Sequence, residues 1–399
     1  MTDISEKTLT HYIMLLHQHV DGRIVEVLSL KFGIVLDGWT CGGRHYVAIF
    51  AVFDDGSSHQ PCARKDDDYF ADSNCPSRHF LLLAFSPVDG EDDLGAQSLF
   101  DLIADALSRF QRPWGSVLFM VGDNCSVNQY IGRRIGAIPL IGCASHRFNL
   151  AMNDFLAPDE PLLTRVHALM KRLTTIKCRS MLRKLNHLAP VMRNATRWSN
   201  VYAMAKRYTE LMSFLLKIDH GSVTDYEKLN GVTQTLQKST LTLSGVRRLF
   251  DHVLAEYPQV DARLGTAATI INNQPQESGI VKFQPHEGLN TTERSACAMF
   301  RLADDEQGHA ETPEERSSFV RSAFKRRKSN RRQRYMDVGF VPPTSNECER
   351  FFSTAKLVLT ELRKSMEPER LEAVMSLSIN RDVYAVEIIR HRLGENALD

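Results

Sequence analysis

Two short apolar runs, each followed by an aspartate, most constrain how this 399-residue chain can fold. The first covers residues 32–36 and is followed by Asp37, and the second covers residues 117–122 and is followed by Asp123. Continuous apolar runs of this length are typical of strands that are buried on both faces. The sequence therefore predicts two buried strands, each with a carboxylate at the point where it ends.

The segments around these runs predict further strands and helices. Residues 46–53 and 79–86 have strand patterns, and with the first run they predict an antiparallel three-stranded meander. The remaining predicted elements are a lead-in helix within residues 5–30, an amphipathic helix at 95–111, a short helix at 124–135, a strand at 137–141 and a helix from His146. From the first strand onward the order is βββαβαβα, which is that of an RNase H-like α/β domain with a mixed sheet.

The character of the chain changes after residue 157, where strand patterns stop and helical patterns dominate. A stretch around Pro275 and Pro285 is poorly patterned and is predicted to be rich in loops. We expect a large all-α insertion that interrupts the core and C-terminal helices that close it. The predicted parts are the lead-in helix (1–30), the first part of the core (31–157), the helical insertion (158–335) and the C-terminal helices (336–399).

A polar motif opens the C-terminal region. Thr344 or Ser345 can cap a helix, and Glu347 is placed to close a capping box with Thr344. Apolar residues then recur at helical spacing, so one face of this helix is expected to be buried. Glu349 falls on the polar side and can point into a site. A second helix is predicted to begin at Pro368, because proline is favoured in the first turn.

Five short motifs of this chain resemble those of hAT-family DNA transposases. They are Leu36-Asp37-Gly38-Trp39-Thr40, Gly122-Asp123-Asn124, the Cys-x-x-His stretch from Cys143 to Leu150, Thr196-Arg197-Trp198-Ser199, and Ser345 followed by Glu349-Arg350-Phe351-Phe352-Ser353. The resemblance runs from about residue 32 to about residue 384. It implies an RNase H-like catalytic core and helices that contribute to dimerisation. The chain departs from the family pattern at its start, where the usual BED-type zinc finger is lacking.

The resemblance implies a catalytic triad of Asp37, Asp123 and Glu349. In this fold the two strand ends lie side by side, so the aspartates converge, and the terminal helix delivers the glutamate. The same three residues would be the metal ligands for two Mg²⁺ or Mn²⁺ ions, which prefer oxygen donors. Such ions activate a water or a 3′-hydroxyl and stabilise the leaving oxygen of a phosphodiester. Cys143 and His146 would support this site, with a buried, satisfied pair as the alternative.

Further residues are candidates for contact with DNA. The resemblance assigns Arg197 and Trp198 to the flanking base, on which an exposed indole would stack; the alternative for Trp198 is a core aromatic. A basic run predicts phosphate contact or nuclear import, with a solvated loop as its alternative. Its central residues are Lys325, Arg326, Arg327, Lys328, Arg331 and Arg332. A second basic band, from Arg165 to Lys184, lies on a predicted helix.

Composition and charge limit where the protein is expected in the cell and what it is expected to bind. The net charge is only +1, so a DNA-binding surface must come from local clustering of basic residues. No apolar run approaches ~20 residues, and the start lacks a signal-peptide pattern, so we expect a soluble, intracellular protein without membrane association. The basic run and the resemblance to transposases imply a nuclear location. A zinc ion could be held by His59, Cys62, Cys75 and His79, but the spacing is not finger-like, and a structural zinc site is not expected.

The sequence supports two main hypotheses. The first is a hAT-like transposase core that cleaves and transfers the strands of transposon ends or target DNA. The second is a catalytically inactive or domesticated protein derived from such a transposase, which binds DNA and dimerises. In both, the C-terminal region is expected to form a homodimer or a higher oligomer. An RNase H-like nuclease acting on RNA–DNA hybrids is disfavoured, because the Arg-Trp and Glu-Arg motifs have no role there.

Overall fold

The computed structural model describes a mixed α/β protein. The described residues are 5–54, 78–87, 95–135, 138–185, 187–193, 198–212, 221–283, 288–302, 335–359 and 366–384. Several predicted functional residues lie outside these ranges. They are Arg197, the basic-run residues Lys325, Arg326, Arg327, Lys328, Arg331 and Arg332, and the possible zinc ligands His59, Cys62 and Cys75.

Five strands form one mixed sheet. They are β1 (Phe32–Cys41), β2 (Arg44–Phe53), β3 (His79–Pro87), β4 (Val117–Gly122) and β5 (Leu140–Gly142). Their order across the sheet is β3-β2-β1-β4-β5, with β1 at the centre. The first three strands pair antiparallel, whereas β4 runs parallel to both β1 and β5. The predicted meander and the two predicted buried strands are therefore confirmed. The expectation that the first strand ends at Asp37 is wrong, because β1 continues through this residue to Cys41 and pairs with β2 from Gly33 to Cys41.

Helices make up most of the remaining structure. They are α1 (Glu6–Val27), α2 (Ala96–Arg109), α3 (Ser126–Tyr130), α4 (Ala144–Leu156), α5 (Glu160–Leu173), α6 (Ile176–Leu185), α7 (Trp198–Met212), α8 (Gly221–Leu236), α9 (Leu243–Glu256), α10 (Asp261–Leu264), α11 (Gln274–Phe283), α12 (Thr291–Ala296), α13 (Asn346–Val358) and α14 (Pro368–Ile379). Within the described ranges, no helix combines the length and the apolar composition that a bilayer span requires.

Both faces of the sheet are covered by helices. On one face, Ile34 and Ile49 of the sheet share an apolar cluster with residues of α1 and α2. On the other face, Phe351 of α13 packs edge-on against Phe85, with ring centroids 4.7 Å apart. Because α13 is anchored by this buried face, the polar side of the helix is free to face the ends of the strands, as the apolar spacing predicted.

The helices after residue 157 pack against the α/β part and share residues with its core. Phe148 of α4 lies against Trp198 of α7 and Phe250 of α9, with ring centroids 6.0 and 6.3 Å apart. Further along the chain, Phe300 lies 6.3 Å from Phe119 of β4. The described residues between 158 and 302 fold mainly into helices, as predicted, and some of these helices contribute residues such as Ile280 to the core of the sheet unit.

Two predicted segments differ in the structure. The helix predicted to carry the basic band from Arg165 to Lys184 is broken into α5 and α6. At the break, the Thr174 and Thr175 hydroxyls donate to the carbonyls of Lys171 and Arg172. The stretch predicted to be rich in loops contains α11. Pro275 lies in its first turn, where a helix needs no amide donor from this position.

The start of α13 also differs from the prediction. Ser345 is the residue that precedes the helix, but its side chain makes no capping hydrogen bond. Glu347 bonds to Arg350 on the same helix and does not close a capping box. The backbone amide of Ser345 instead bonds to Cys143, so the start of α13 is held by a long-range contact.

Asn380 joins the end of α14 to strand β3. Its side chain is 1% exposed. The Nδ2 atom donates to the carbonyl of Leu82 at 3.0 Å, and the Oδ1 atom accepts from the amide of Leu82 at 2.9 Å. One amide side chain therefore satisfies both backbone groups of a buried strand residue.

Replacing Asn380 by alanine is expected to lower the free energy of unfolding by about 2–3 kcal/mol, because both backbone groups of Leu82 lose their partners. Urea unfolding followed by circular dichroism measures this change. The control is Asp382→Ala, because the Asp382 side chain is 83% exposed, and its loss should stay within about 0.5 kcal/mol. Equal losses in the two variants would contradict the structural role of Asn380.

Candidate functional site

Asp37 lies within β1, which continues to Cys41, and Asp123 directly follows β4, the parallel neighbour of β1. Val35 of β1 pairs with Val121 of β4, and continuing this register by two residues places Asp37 beside Asp123. Adjacent strands are about 4.8 Å apart, so the two backbones are close. Both side chains are half-buried. The structure thus brings together the two aspartates that end the two apolar runs.

His146 lies next to Asp123. Strand β5 is the parallel neighbour of β4, and α4 begins directly after it, so the first turn of α4 is near the end of β4. The Nδ1 atom of His146 is 3.4 Å from Asp123 Oδ2, and the two side chains are 33% and 38% exposed. His146 is therefore a solvent-accessible partner of the aspartate and does not fit the alternative of a buried residue.

Glu349 lies on α13, which packs against β1. The preceding residue, Cys348, is fully buried, and its Sγ lies 3.9 Å from the carbonyl oxygen of Val35 on β1. Burial raises the pKa of the Cys348 thiol well above its usual range, and the charges of Asp37, Glu347 and Glu349 contribute to the rise. Since Coulomb interactions weaken with distance, Asp37 and Glu349 both lie near this thiol.

A second buried thiol lies beneath Asp123. The backbone amide of Ser345 donates to Cys143 Sγ at 3.4 Å, and the amide of Ala144 donates to the carbonyl of Pro343 at 2.9 Å. These bonds join the segment before α13 to the start of α4. Burial raises the pKa of Cys143 to about 11, and the charge of Asp123 adds to the effect.

The candidate acids therefore lie near two buried cysteines, with Asp123 near Cys143 and with Asp37 and Glu349 near Cys348. Cys143 was predicted as a supporting residue. The sequence analysis did not predict that Cys348 is buried against β1 beside the candidate acids. The available signal was spacing, because residue 348 falls on the same helical face as Phe351 and Ala355, three and seven residues further on.

Native labelling with a thiol reagent at pH 8 is expected to spare Cys143. A pKa of about 11 in place of 9.0 lowers the thiolate fraction about 100-fold, and burial blocks access as well. The matched control is Cys125, which is exposed in the segment after Asp123. Mass spectrometry of the alkylated peptides gives both labelling rates. Equal labelling rates at Cys143 and Cys125 would contradict the burial of the Cys143 thiol.

The donor set suits a hard divalent cation, but the side chains are not assembled around a common point. Three carboxylates offer the oxygen ligands that Mg²⁺ and Mn²⁺ prefer. Across the described ranges, no three or more His, Cys, Asp or Glu side chains are grouped closely enough to hold a metal ion. Asp123 contacts His146, and Asp37 accepts a hydrogen bond from the Gly38 amide at 2.8 Å. Metal binding at this site would require the carboxylates to turn toward one another.

Trp198 does not have the exposed indole that base stacking requires, so that expectation is wrong. The residue is 2% exposed, and its Nε1 donates to Thr233 Oγ1 at 3.0 Å. Its backbone amide bonds to Asn149 Oδ1 at 2.9 Å. The indole packs against Phe148, which makes Trp198 a core aromatic, as the alternative interpretation held.

The basic band on α5 and α6 is largely exposed. Arg179 is the partly buried member, and it donates to the carbonyl of Leu188 at 2.7 Å. The exposed members are Arg165, Lys171, Arg172, Lys177, Arg183 and Lys184. This surface offers several positive charges within two consecutive helices.

No model of a known protein family matches the sequence, and no curated protein is significantly similar to it. The functional interpretation therefore depends on the residues, the fold and the local geometry described above.

Proposed function

We propose that this protein is a hAT-like transposase core, a metal-dependent enzyme that cleaves and transfers DNA strands. The observation that carries the proposal is the placement of Asp37, within the central strand β1, near Asp123, which directly follows the parallel neighbour strand β4. Glu349 supports it, because its helix packs on the same central strand. The mixed sheet and the order of strands and helices up to α4 are compatible with the RNase H-like fold that such an enzyme uses.

Each candidate residue has a role in this proposal. Asp37, Asp123 and Glu349 would provide carboxylate oxygens for Mg²⁺ or Mn²⁺. When bound, the ions activate a water or a 3′-hydroxyl and offset the charge that develops at the phosphodiester. His146 contacts Asp123 through Nδ1, which leaves its other ring nitrogen available to a phosphate oxygen. Cys143 and Cys348 are buried thiols with raised pKa values, so they stay protonated and uncharged next to the acids.

DNA binding would depend on the basic surfaces. The exposed basic band on α5 and α6 can contact phosphates, and the basic run at residues 325–332 would add to it. Phosphate contacts release counterions, so binding should weaken steeply as salt is raised. We further propose a nuclear location and a homodimer or higher oligomer formed through the C-terminal helices.

Strand cleavage tests the proposal directly. The substrate is DNA that carries the sequences flanking this protein's own coding region, incubated with Mn²⁺ and either wild type or Asp123→Asn. Cleavage by wild type and its loss in the variant support the enzyme. Folded wild-type protein that binds this DNA without cleaving it would overturn the catalytic proposal.

One observation favours the second candidate function, a transposase-derived DNA-binding and dimerising protein without catalysis. Trp198, the residue assigned to handling a flipped base, is buried in the helical core. Such a protein would bind DNA through its basic surfaces and self-associate without cutting. The cleavage experiment separates the two functions, since this candidate predicts salt-sensitive binding and intact strands with every divalent cation.

A further inference from the structure

The segment that follows Asp123 is held in place by three amide side chains. Asn128 Nδ2 donates to the carbonyl of Asp123 at 2.9 Å. Gln129 Nε2 donates to the carbonyl of Asn124 at 3.0 Å. The third amide is Asn272, whose Nδ2 donates to Asn124 Oδ1 at 3.1 Å. Two of these side chains come from α3, whereas Asn272 comes from the helical region, 148 residues further along the chain.

The side chain of Asn124 is closely confined. A Cβ atom built on Gly142, at the end of β5, would lie 2.2 Å from Asn124 Oδ1 and 2.6 Å from Asn124 Nδ2. Only glycine leaves room for the amide at this position. The Asn124 side chain is thus held between the end of β5 and Asn272, one residue after the aspartate.

The Asn124–Asn272 contact is also shielded from water. Asn124 Nδ2 and Asn272 Oδ1 are both buried, and neither has a hydrogen-bond partner within the described residues. A buried polar atom without a partner costs free energy, so the single bond between the two amides matters more than a surface bond would. Because these atoms are buried, the pair can hold the backbone but does not reach a substrate.

The segment that carries Asn272 is itself fixed to the site. Among the described residues, the Asn273 side chain makes only a local bond, since its Oδ1 accepts from the amide of Gln276 at 3.2 Å at the start of α11. Glu277 of α11 then pairs with Arg147, the neighbour of His146, at 2.7 Å. The Arg147 side chain is only 4% exposed. Residues 272–277 therefore connect both to the loop after Asp123 and to the helix of His146.

We propose that Asn272 is a positioning residue, which holds the segment after Asp123 so that the helical region sets where this carboxylate lies. The inference rests on the proposed function insofar as Asp123 is a metal ligand. Outer-shell partners of metal ligands commonly change metal affinity by about 10–100-fold when they are removed. Asn272 would act through Asn124 and would not contact the metal or the DNA.

The test compares Asn272→Ala with the matched control Asn273→Ala. Hydrogen exchange, followed by mass spectrometry, reports the protection of amides 122–125 without any need for activity. We expect exchange there to be about five- to tenfold faster in Asn272→Ala. In Asn273→Ala, the change should be confined to α11. We also expect Mn²⁺, measured by the loss of its free electron paramagnetic resonance signal, to bind about tenfold more weakly to Asn272→Ala than to wild type.

A double-mutant comparison isolates the contact. In an Asn124→Ala background, Asn272→Ala should cause little further change in exchange at residues 122–125, because its partner is already absent. Unchanged exchange in Asn272→Ala, or equal effects of Asn272→Ala and Asn273→Ala, would overturn the inference.

Different results would contradict the metal-dependent function and the positioning role of Asn272. If wild type binds no Mn²⁺ and Asp123→Asn behaves identically, the metal-dependent function is overturned. The exchange comparison then decides alone whether Asn272 holds the segment after Asp123.

Discussion

Replacing Glu349 by glutamine is expected to slow Mn²⁺-dependent DNA cleavage about 1,000-fold or more while the protein stays folded. Glutamine keeps the shape of the side chain but removes the negative charge that would hold the cation. A metal ion contributes several kcal/mol to the stabilisation of the transition state, and each 1.4 kcal/mol corresponds to a factor of ten in rate. Single-turnover cleavage of end-labelled DNA measures the effect.

Glu347→Gln is the matched control for this prediction. Glu347 lies in the same first turn of α13, but it pairs with Arg350. Ion pairs of this kind contribute about 0–1 kcal/mol to stability, so the variant should stay folded. Because Glu347 is not a proposed metal ligand, the cleavage rate should change less than about twofold. Similar losses in both variants would show that charge on α13 matters in general and that Glu349 is not the third acid.

Replacing Phe351 by alanine is expected to lower the free energy of unfolding by about 3–5 kcal/mol, the range found when large buried aromatics are truncated. The ring is 2% exposed and lies 4.7 Å from Phe85 and 5.5 Å from Phe50, measured between centroids. It anchors α13 on the sheet. Urea unfolding monitored by circular dichroism provides the measurement.

Leu357→Ala provides the comparison on the same helix. Leu357 is 77% exposed, so its truncation should change the free energy of unfolding by no more than about 0.5 kcal/mol. A loss for Phe351→Ala no larger than for Leu357→Ala would contradict the packing of α13 described here.

The strands that carry the aspartates could be predicted because their signal is local. An apolar run such as residues 117–122 is unusual outside a buried strand. The weaker segments depended on contacts that the sequence does not display. Strand β5 has only three residues, Leu140–Gly142, and is defined mainly by its pairing with β4. The break between α5 and α6 coincides with side-chain bonds from Thr174 and Thr175.

Part of the candidate site could also be predicted, because local sequence patterns mark its residues. Asp37 and Asp123 are marked by the runs that precede them, and Glu349 by its motif. No local pattern shows that Asn272 bonds to Asn124, because the partners are 148 residues apart. Trp198 illustrates a further difficulty. An indole in a helical pattern can face solvent or core, and its hydrogen bond to Thr233 becomes visible only in the folded chain.

The amide bonds of Asn380 also affect how this sheet can meet another molecule. Strand β3 lies at the edge of the sheet, where free backbone groups would be a template for pairing with a strand of a second chain. Asn380 occupies both groups of Leu82, and Glu372 of α14 accepts from the amide of Phe85 at 3.4 Å. Helix α14 thus protects this edge against aggregation through added strands. Self-association of the protein would then use the faces of its helices and not a sheet continued past β3.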